Sequence, residues 1–120
     1  MQRKYSGSAK IFYPKYSRDD LLELLKLKVE ALKRVLQVSL VALFGSYATN
    51  SYTAASDIDL LVVYKGHAKD AYTTVRKAFG LPLLEPHVYS EEEYTTMKET
   101  LHKMTANSIT IYSDGSLPQG

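Results

Sequence analysis

The sequence predicts an α/β (α+β) domain in which helices pack on one small mixed β-sheet. Two short and almost wholly apolar runs, Ser39–Phe44 and Asp57–Tyr64, have the length and flanking residues of strands buried on both faces. Segments with helical spacing of apolar residues precede, separate and follow the strands. The resulting order of elements, α-β-β-α-β-α-β, is typical of a mixed sheet with helices packed on it.

The N-terminal third contains a lead-in and a helix. Residues 1–16 have the composition of a lead-in that is partly extended, with Pro14 opposing a helix. A helix is predicted to begin after Ser17, because Ser17 and Asp20 resemble a capping box. It is expected to end near Leu36. The apolar stripe predicted to face the core consists of Leu22, Leu25, Val29, Leu32 and Leu36.

The middle of the chain adds a helix and a third strand. Residues Ala68–Phe79 read as a helix, and Gly80 is placed to cap its end. The run Leu83–Tyr89 is predicted to be a strand. Its Pro86 favours a non-central or locally irregular position in the sheet, because proline cannot donate a hydrogen bond to a neighbouring strand.

The last elements follow a capping box. The segment Ser90–Glu93 is predicted to open a helix that reaches about Met104. Residues Ile109–Tyr112 are expected to form a final edge strand. The domain is therefore predicted to span residues 17–112, and residues 113–120 to form a loose tail.

Composition restricts the class of protein. The chain has 120 residues, 45% hydrophobic and 23% charged, with a formal net charge of +2. Such a chain forms one core, and its charge is too small to imply a nucleic acid as the primary partner. Apolar runs are far shorter than the ~20 residues of a membrane span, and no secretory signal is recognisable. With no cysteine, thiolate chemistry and zinc–thiolate sites are excluded, and we expect a cytoplasmic protein.

The first candidate for chemistry is Gly45-Ser46, at the end of the first strand. Glycine lets the backbone turn sharply while its N–H groups stay open to a ligand. Ser46 adds a hydroxyl group, and Ser46–Ser51 could form the first turn of a short helix directed at an anion. Taken alone, the dipeptide is equally compatible with an ordinary turn.

Asp57 and Asp59 stand two residues apart at the start of the second strand. Alternation places both carboxylates on one face, about 7 Å apart along the backbone. Aspartate is disfavoured in strands, and two like charges repel unless a counter-charge is present. Mg²⁺ relieves this repulsion and accepts carboxylate and phosphate oxygens. A solvent-exposed strand start is the alternative, but the apolar run Leu60–Val63 indicates a strand that is largely buried.

Glu85 lies just inside the third strand, with His87 and Tyr89 on the same face. A third carboxylate beside Asp57 and Asp59 would complete a two-metal site for displacement at phosphorus. Spacing alone leaves open whether the two strands are neighbours. His87 could lie beside Glu85, or could be a polar residue on a half-exposed strand.

These residues carry a resemblance to a known family. Gly45-Ser46, a spacer, and Asp57-Ile58-Asp59 followed by Leu-Leu-Val-Val resemble the nucleotidyltransferase signature of the DNA polymerase β superfamily. The compact size resembles the minimal nucleotidyltransferases (MNT) of archaea and bacteria. The likeness covers roughly residues 17–112, and it implies a polymerase β-like nucleotidyltransferase core.

The resemblance also implies a role for each site residue. Gly45 and Ser46 would hold the β- and γ-phosphates of a nucleoside triphosphate, with ATP expected. Asp57 and Asp59 would bind two Mg²⁺ ions. Glu85 would match the third carboxylate, which ligates one metal and helps activate the acceptor hydroxyl. The acceptor oxygen then attacks the α-phosphorus, pyrophosphate leaves, and the acceptor is nucleotidylated.

The segment after Gly45-Ser46 departs from the family pattern. Many relatives carry an arginine soon after the dipeptide and a glycine a few residues on, where this chain has Tyr47, Thr49 and Asn50. Asparagine tolerates a left-handed backbone, so the turn can form. The missing cation could be supplied by another element of the chain or by a partner. The candidates in the chain are Lys65, Arg76 and Lys77.

The resemblance extends to partners. MNT proteins occur with a helical HEPN toxin and act as the antitoxin, either by transferring AMP to a toxin tyrosine or by binding alone. The leading hypothesis is therefore a Mg²⁺-dependent nucleotidyltransferase whose acceptor site another subunit completes, and a homo-oligomer is possible. The alternative is a catalytically weak or inactive binding module that neutralises a partner by forming a complex. An enzyme acting on an antibiotic-like small molecule would normally need an extra domain.

Overall fold

The computed structural model describes residues 16–117 as one four-stranded sheet with four helices. The elements in chain order are α1 (Arg18–Leu32), β1 (Val38–Phe44), β2 (Ile58–Tyr64), α2 (Ala71–Phe79), β3 (Leu84–Ser90), α3 (Glu91–Thr96), α4 (Lys98–Met104) and β4 (Ile109–Ser113). The predicted order of strands and helices is confirmed, except that two short helices stand in place of the single helix predicted between β3 and β4. Of the lead-in predicted over residues 1–16, all but Tyr16 lies outside the described residues.

The sheet is mixed, as predicted, and its strand order is β3-β2-β1-β4. β1 pairs antiparallel with β2 and with β4. β2 and β3 run parallel, with Ile58 opposite Leu84 and Tyr64 opposite Ser90, and α2 makes the crossover between them. β3 is an edge strand, which explains why Pro86 is tolerated there.

The two faces of the sheet have separate cores. On the first face, α1 and α2 pack over alternate residues of β2, including Leu60 and Val62. On the second face, α3 and α4 pack over Leu61 and Val63, together with Phe44 of β1. Because strand side chains alternate, Asp59 belongs to the second face. None of the helices within residues 16–117 is long and apolar enough to cross a membrane.

Helix α1 begins as predicted and ends early. The Ser17 hydroxyl accepts a hydrogen bond from the Asp20 amide at 3.1 Å. The helix ends at Leu32 instead of near Leu36, because the amides of Arg34 and Val35 bond to carbonyls three residues back and tighten the chain into turns. Leu22 was predicted to be buried in the core but is only half-buried. Its neighbour Leu21 is fully buried instead. The other four predicted core positions are buried.

The later helices differ from expectation at two points. Helix α2 begins at Ala71 and not at Ala68, because Asp70 adopts a left-handed backbone at φ 55°. The single helix predicted after Ser90 is broken at Met97 (φ −98°, ψ 16°) into α3 and α4. The hydroxyl groups of Thr95 and Thr96 donate to carbonyl oxygens one turn back, which bends helices. The capping box itself is confirmed.

The chain after β4 is packed where a loose tail was expected. Ser113 closes β4, and Leu117 is buried in the core of the second face. Between them, the Asp114 carboxylate lies 2.9 Å from the Lys65 ammonium. Residues 114–117 are therefore held to the sheet by an ion pair and an apolar contact. Residues 118–120 lie outside the described residues.

Candidate functional site

The end of β1 and the starts of β2 and β3 meet at one end of the sheet. Phe44 lies opposite Asp59 in the β1–β2 pair, and Asp59 lies opposite Glu85 in the β2–β3 pair. Residues that face each other in a sheet project their side chains to the same face. The sheet register therefore brings Gly45, Asp59 and Glu85 together, and Asp57 precedes β2 by one residue. The question that spacing left open is resolved by the parallel pairing of β2 with β3.

Gly45 and Asp59 are in direct contact. The backbone of Gly45 is left-handed at φ +74°. A β-carbon at this position would overlap Oδ2 of Asp59 and would lie 3.1 Å from its Cγ. Glycine is thus required here both by the turn and by the space that the carboxylate occupies.

The segment after Gly45 is a series of turns and not the start of a helix. The amide of Thr49 donates to the Gly45 carbonyl at 3.2 Å, and that of Ser51 to the Ser46 carbonyl at 2.9 Å. The Thr49 bond has the spacing of one helical turn, but the expected short helix over Ser46–Ser51 does not form. Asn50 has φ 61°, so it takes the left-handed position that glycine would otherwise fill.

Tyr47 anchors this turn to the protein. Its side chain is 3% exposed and stacks on Tyr52 with ring centroids 4.3 Å apart, and burial raises the pKa of its hydroxyl. Nη1 of Arg18 donates to the Ala48 carbonyl at 3.0 Å, and the Arg18 amide donates to the Tyr52 hydroxyl at 3.1 Å. Tyr47, which stands where the family resemblance predicts a cation, is thus a buried ring stacked on Tyr52, and its neighbours Ala48 and Tyr52 bond to the start of α1.

The carboxylates at the strand starts affect each other's charge. Burial raises the pKa of Asp59, and the negative charges of Asp57 and Glu85 raise it further, whereas His87 lowers it. Nε2 of His87 lies 3.9 Å from Oδ1 of Asp59, and the His87 ring meets the edge of Phe44 at 5.1 Å. The sequence left two alternatives for His87, a place beside Glu85 or a polar residue on a half-exposed strand. The structure brings it to Asp59, because the residue two after Glu85 on β3 is diagonal to Asp59 on β2.

These donors match Mg²⁺ in chemical type. Carboxylate oxygens are hard ligands, and a divalent cation would relieve the repulsion that Asp57 and Glu85 exert on Asp59. Within residues 16–117, however, no three acidic or histidine side chains converge closely enough to enclose a metal ion. Strand pairing therefore brings the backbones of the acidic residues together, but their carboxylates do not converge on one point.

A cavity of about 300 Å³ adjoins the Gly45 turn on the second face. The turn forms one wall, and the end of α4 with the following loop forms the other. The lining residues are Phe44, Gly45, Ser46, Thr49, Ser51, Lys103, Met104, Ala106 and Asn107. Sequence reasoning did not select Lys103 or Asn107, because no local signal shows that α4 ends beside the turn.

The three cations considered from the sequence lie elsewhere, and none of them lines this cavity. Lys65 is at the opposite end of β2, paired with Asp114. Nη1 of Arg76 donates to the Leu84 carbonyl at 3.0 Å. Lys77 lines a groove between α1 and α2 on the first face. The expectation that one of these residues supplies the cation finds no support in their contacts.

Comparison with known proteins relates the chain to one family. The family described as "Nucleotidyltransferase domain" matches residues 24–112. A Methanocaldococcus jannaschii protein provisionally named as a protein adenylyltransferase is 42% identical over 45 residues, which are 38% of this chain and 46% of that relative. The chain thus spans just under half the length of the relative.

Two solved structures have a similar fold. One is a Sulfolobus solfataricus protein provisionally named as a nucleotidyltransferase, with a TM-score of 0.58, 23% identity, and coverage of 92% of this chain and 93% of that one. The other is a toxin–antitoxin complex with AMP-PNP, with a TM-score of 0.54 and 18% identity over 75% of this chain and 74% of the other. At these identities the likeness concerns the fold, and it agrees with the mixed sheet described above.

Proposed function

The chain belongs to the nucleotidyltransferase domain family, and from this premise we propose that it is a Mg²⁺-dependent transferase that moves AMP from ATP to a hydroxyl group. The observation that carries the proposal is the alignment of Gly45, Asp59 and Glu85 at one end of the sheet. Gly45 lies directly against Asp59, and this supports a site in which the turn would bind phosphates beside carboxylates that would bind divalent cations.

In this proposal each residue has a defined task. Asp57, Asp59 and Glu85 would hold two Mg²⁺ ions, which supply positive charge for the phosphates and for the reacting oxygens. Backbone and hydroxyl donors of Gly45 and Ser46 bind the β- and γ-phosphates. The acceptor oxygen forms a bond to the α-phosphorus, the bond from that phosphorus to pyrophosphate breaks, and Glu85 helps to remove the hydroxyl proton. Positioning and charge neutralisation provide most of the rate.

We further propose a protein acceptor in the cytoplasm, namely a HEPN-type toxin with this chain as its antitoxin. Two relatives support this choice. The M. jannaschii relative is provisionally named as a protein adenylyltransferase, and one structural neighbour is a toxin–antitoxin complex with AMP-PNP. The acceptor would be a tyrosine hydroxyl of the toxin.

The experiment is a label-transfer assay. The protein is incubated with α-labelled ATP, Mg²⁺ and the product of its neighbouring gene, and label is expected on that partner only when Mg²⁺ is present. Asp59→Asn is expected to abolish the label. Asp70→Asn is the matched control, since Asp70 lies beyond the opposite end of β2 and asparagine also tolerates its left-handed backbone. Absence of label with folded wild-type protein contradicts the proposal.

The alternative function is neutralisation by binding alone. It is favoured by the buried Tyr47 in place of a cation and by the lack of a converged three-ligand cluster within residues 16–117. The double variant Asp57→Asn, Asp59→Asn distinguishes the two. An enzyme loses both label transfer and toxin neutralisation, whereas a binding module neutralises the toxin as well as the wild type does.

A further inference from the structure

We propose that Lys103, assisted by Asn107, forms the second wall of the triphosphate subsite and supplies the cation that the segment after Gly45-Ser46 lacks. The inference rests on the proposed function, since it assigns a ligand to the cavity beside the Gly45 turn. The chemistry that Lys103 recognises is a polyphosphate chain, and the base and sugar are not contacted by it.

The cavity has polar residues on both walls. One wall is formed by Gly45, Ser46 and Ser51, whose hydroxyl is hydrogen-bonded to that of Thr49, and the other wall includes Lys103 and Asn107. The cavity is open to solvent, and its volume of about 300 Å³ is at the lower limit of small-ligand pockets, which suits a polyphosphate chain. Asp59 and Glu85 lie on the same face of the sheet, across Gly45 from this cavity. A triphosphate could therefore extend from the carboxylates across the turn to Lys103.

Lys103 is available to bind an anion. Its side chain is exposed, and among residues 16–117 it has no ion-pair or hydrogen-bond partner. Lys33 and Lys65, in contrast, are paired with Glu30 and Asp114. An unpaired ammonium beside hydroxyl and amide donors is the arrangement that a phosphate oxygen needs, and lysine binds phosphate as a point charge.

Packing fixes where Lys103 lies. Leu101 is 1% exposed and Met104 is partly buried, and both belong to the core of the second face that includes Phe44. Phe44 immediately precedes Gly45, so the same apolar contacts that hold α4 to the sheet hold its last turn beside the glycine. The Thr105 hydroxyl donates to the Leu101 carbonyl at 2.7 Å at the point where α4 ends. The position of Lys103 relative to the turn is therefore set by a core and not by a flexible loop.

The test separates polyphosphate binding from folding. Affinities of the full chain for ATP, AMP and inorganic tripolyphosphate are measured by calorimetry with Mg²⁺ and without an acceptor. Lys103→Met is expected to weaken ATP and tripolyphosphate binding by about tenfold or more, the loss of one charge-assisted hydrogen bond, and to leave AMP binding unchanged. Lys103→Arg is expected to keep most of the affinity. Lys98→Met, the same change at the other end of α4, is the matched control and is expected to alter nothing.

Several results would overturn the proposal. Equal affinity of wild type and Lys103→Met for ATP would exclude the contact. Equal losses for ATP and AMP would mean that the lysine acts on the whole site and not on the phosphates. If tripolyphosphate binds in a Lys103-dependent manner but no label is transferred to any partner, the subsite stands and the proposed function fails. If the folded wild-type protein binds neither ATP nor tripolyphosphate, both fail.

Discussion

Gly45 and Asp59 lie so close together that residue 45 has no room for a side chain, although fourteen positions separate them in the chain. The contact follows from the antiparallel pairing of β1 with β2, which sets Phe44 opposite Asp59. The Gly45 turn, which is proposed to bind phosphates, and the Asp59 carboxylate are therefore one packing unit. A substitution at either residue is therefore expected to affect the position of the other.

Gly45→Ala tests this contact. A left-handed alanine costs about 1 kcal/mol or more of the free energy of unfolding, and its methyl group would displace the Asp59 carboxylate. We expect label transfer to fall by about a hundredfold, as for a catalytic group displaced by about 1 Å. The control is Gly66→Ala, because Gly66 is also left-handed (φ +70°) and a β-carbon there meets nothing within 4 Å. The contact is supported if the two variants unfold at similar urea concentrations and only Gly45→Ala loses label transfer. Equal label transfer by Gly45→Ala and Gly66→Ala would refute it.

Asp59→Asn is expected to stabilise the protein while it abolishes transfer. Burial and the neighbouring Asp57 and Glu85 raise the pKa of Asp59, so the folded state disfavours the ionised form. The free-energy cost of holding an ionised Asp59 in the folded protein is fully present above its pKa in the folded state. It disappears as the pH falls below its pKa in the unfolded chain, which is about 4. In EDTA at pH 7, Asp59→Asn should therefore melt at a higher temperature than wild type, and the difference should shrink in acid. A lower melting temperature at pH 7 would contradict this account.

The Lys65–Asp114 pair should make the packing of residues 113–117 sensitive to acid. The hydrogen bond from Ser116, followed by that from Lys65, lowers the pKa of Asp114 to about 2. Because the folded pKa is depressed, its contribution to stability is present above the unfolded value of about 4 and is lost as the pH falls towards 2. Asp114→Asn should lower the melting temperature at pH 7 and have a much smaller effect at pH 2, where the contribution is largely lost. An equal shift at both pH values would mean that charge is not involved.

Arg18 is expected to order the turn after Gly45. Arg18→Met removes the hydrogen bond to the Ala48 carbonyl and should cost about 1 kcal/mol of the free energy of unfolding. Hydrogen exchange should accelerate at the Thr49 and Ser51 amides, which are bonded within that turn. Arg34→Met, on a turn after α1 and away from the site, should leave both amides unchanged. Unaltered hydrogen exchange in Arg18→Met would show that the stacked Tyr47 and Tyr52 order the turn without Arg18.

Local signals predicted most of the fold. The hydroxyl caps at Ser17 and Ser90 and the apolar run of β2 are properties of a few adjacent residues, and the structure has the predicted elements at these places. The burial of Leu117, in contrast, depends on residues distant in sequence, because it is made by the core of the second face. The break at Met97 follows Thr95 and Thr96, whose bonds to carbonyl oxygens one turn back are not announced by the capping box that predicted the helix.

The candidate site could also be predicted only in part, because local signals identify residues that are close together in the sequence. Gly45, Asp57 and Asp59 were recognisable because they lie on one short stretch with a characteristic spacing. The proximity of Glu85 could not be derived from spacing, since it depends on β3 pairing with β2 in one particular register. Lys103 gave no signal at all, because the contact of α4 with the Gly45 turn is made through Phe44 on a distant strand.

The edge position of β3 leaves the third carboxylate dependent on a single ladder of backbone bonds. Along that ladder Glu85 faces Asp59, flanked by Leu84 and Pro86. A slip of one residue would turn Glu85 to the opposite side and present an apolar neighbour to the aspartate. Within residues 16–117 no further strand pairs with β3 on this side, and an additional strand docked there from a binding protein would hold Glu85 in register with Asp59. A protein bound at this edge would then change the activity of the proposed site without touching any reacting group.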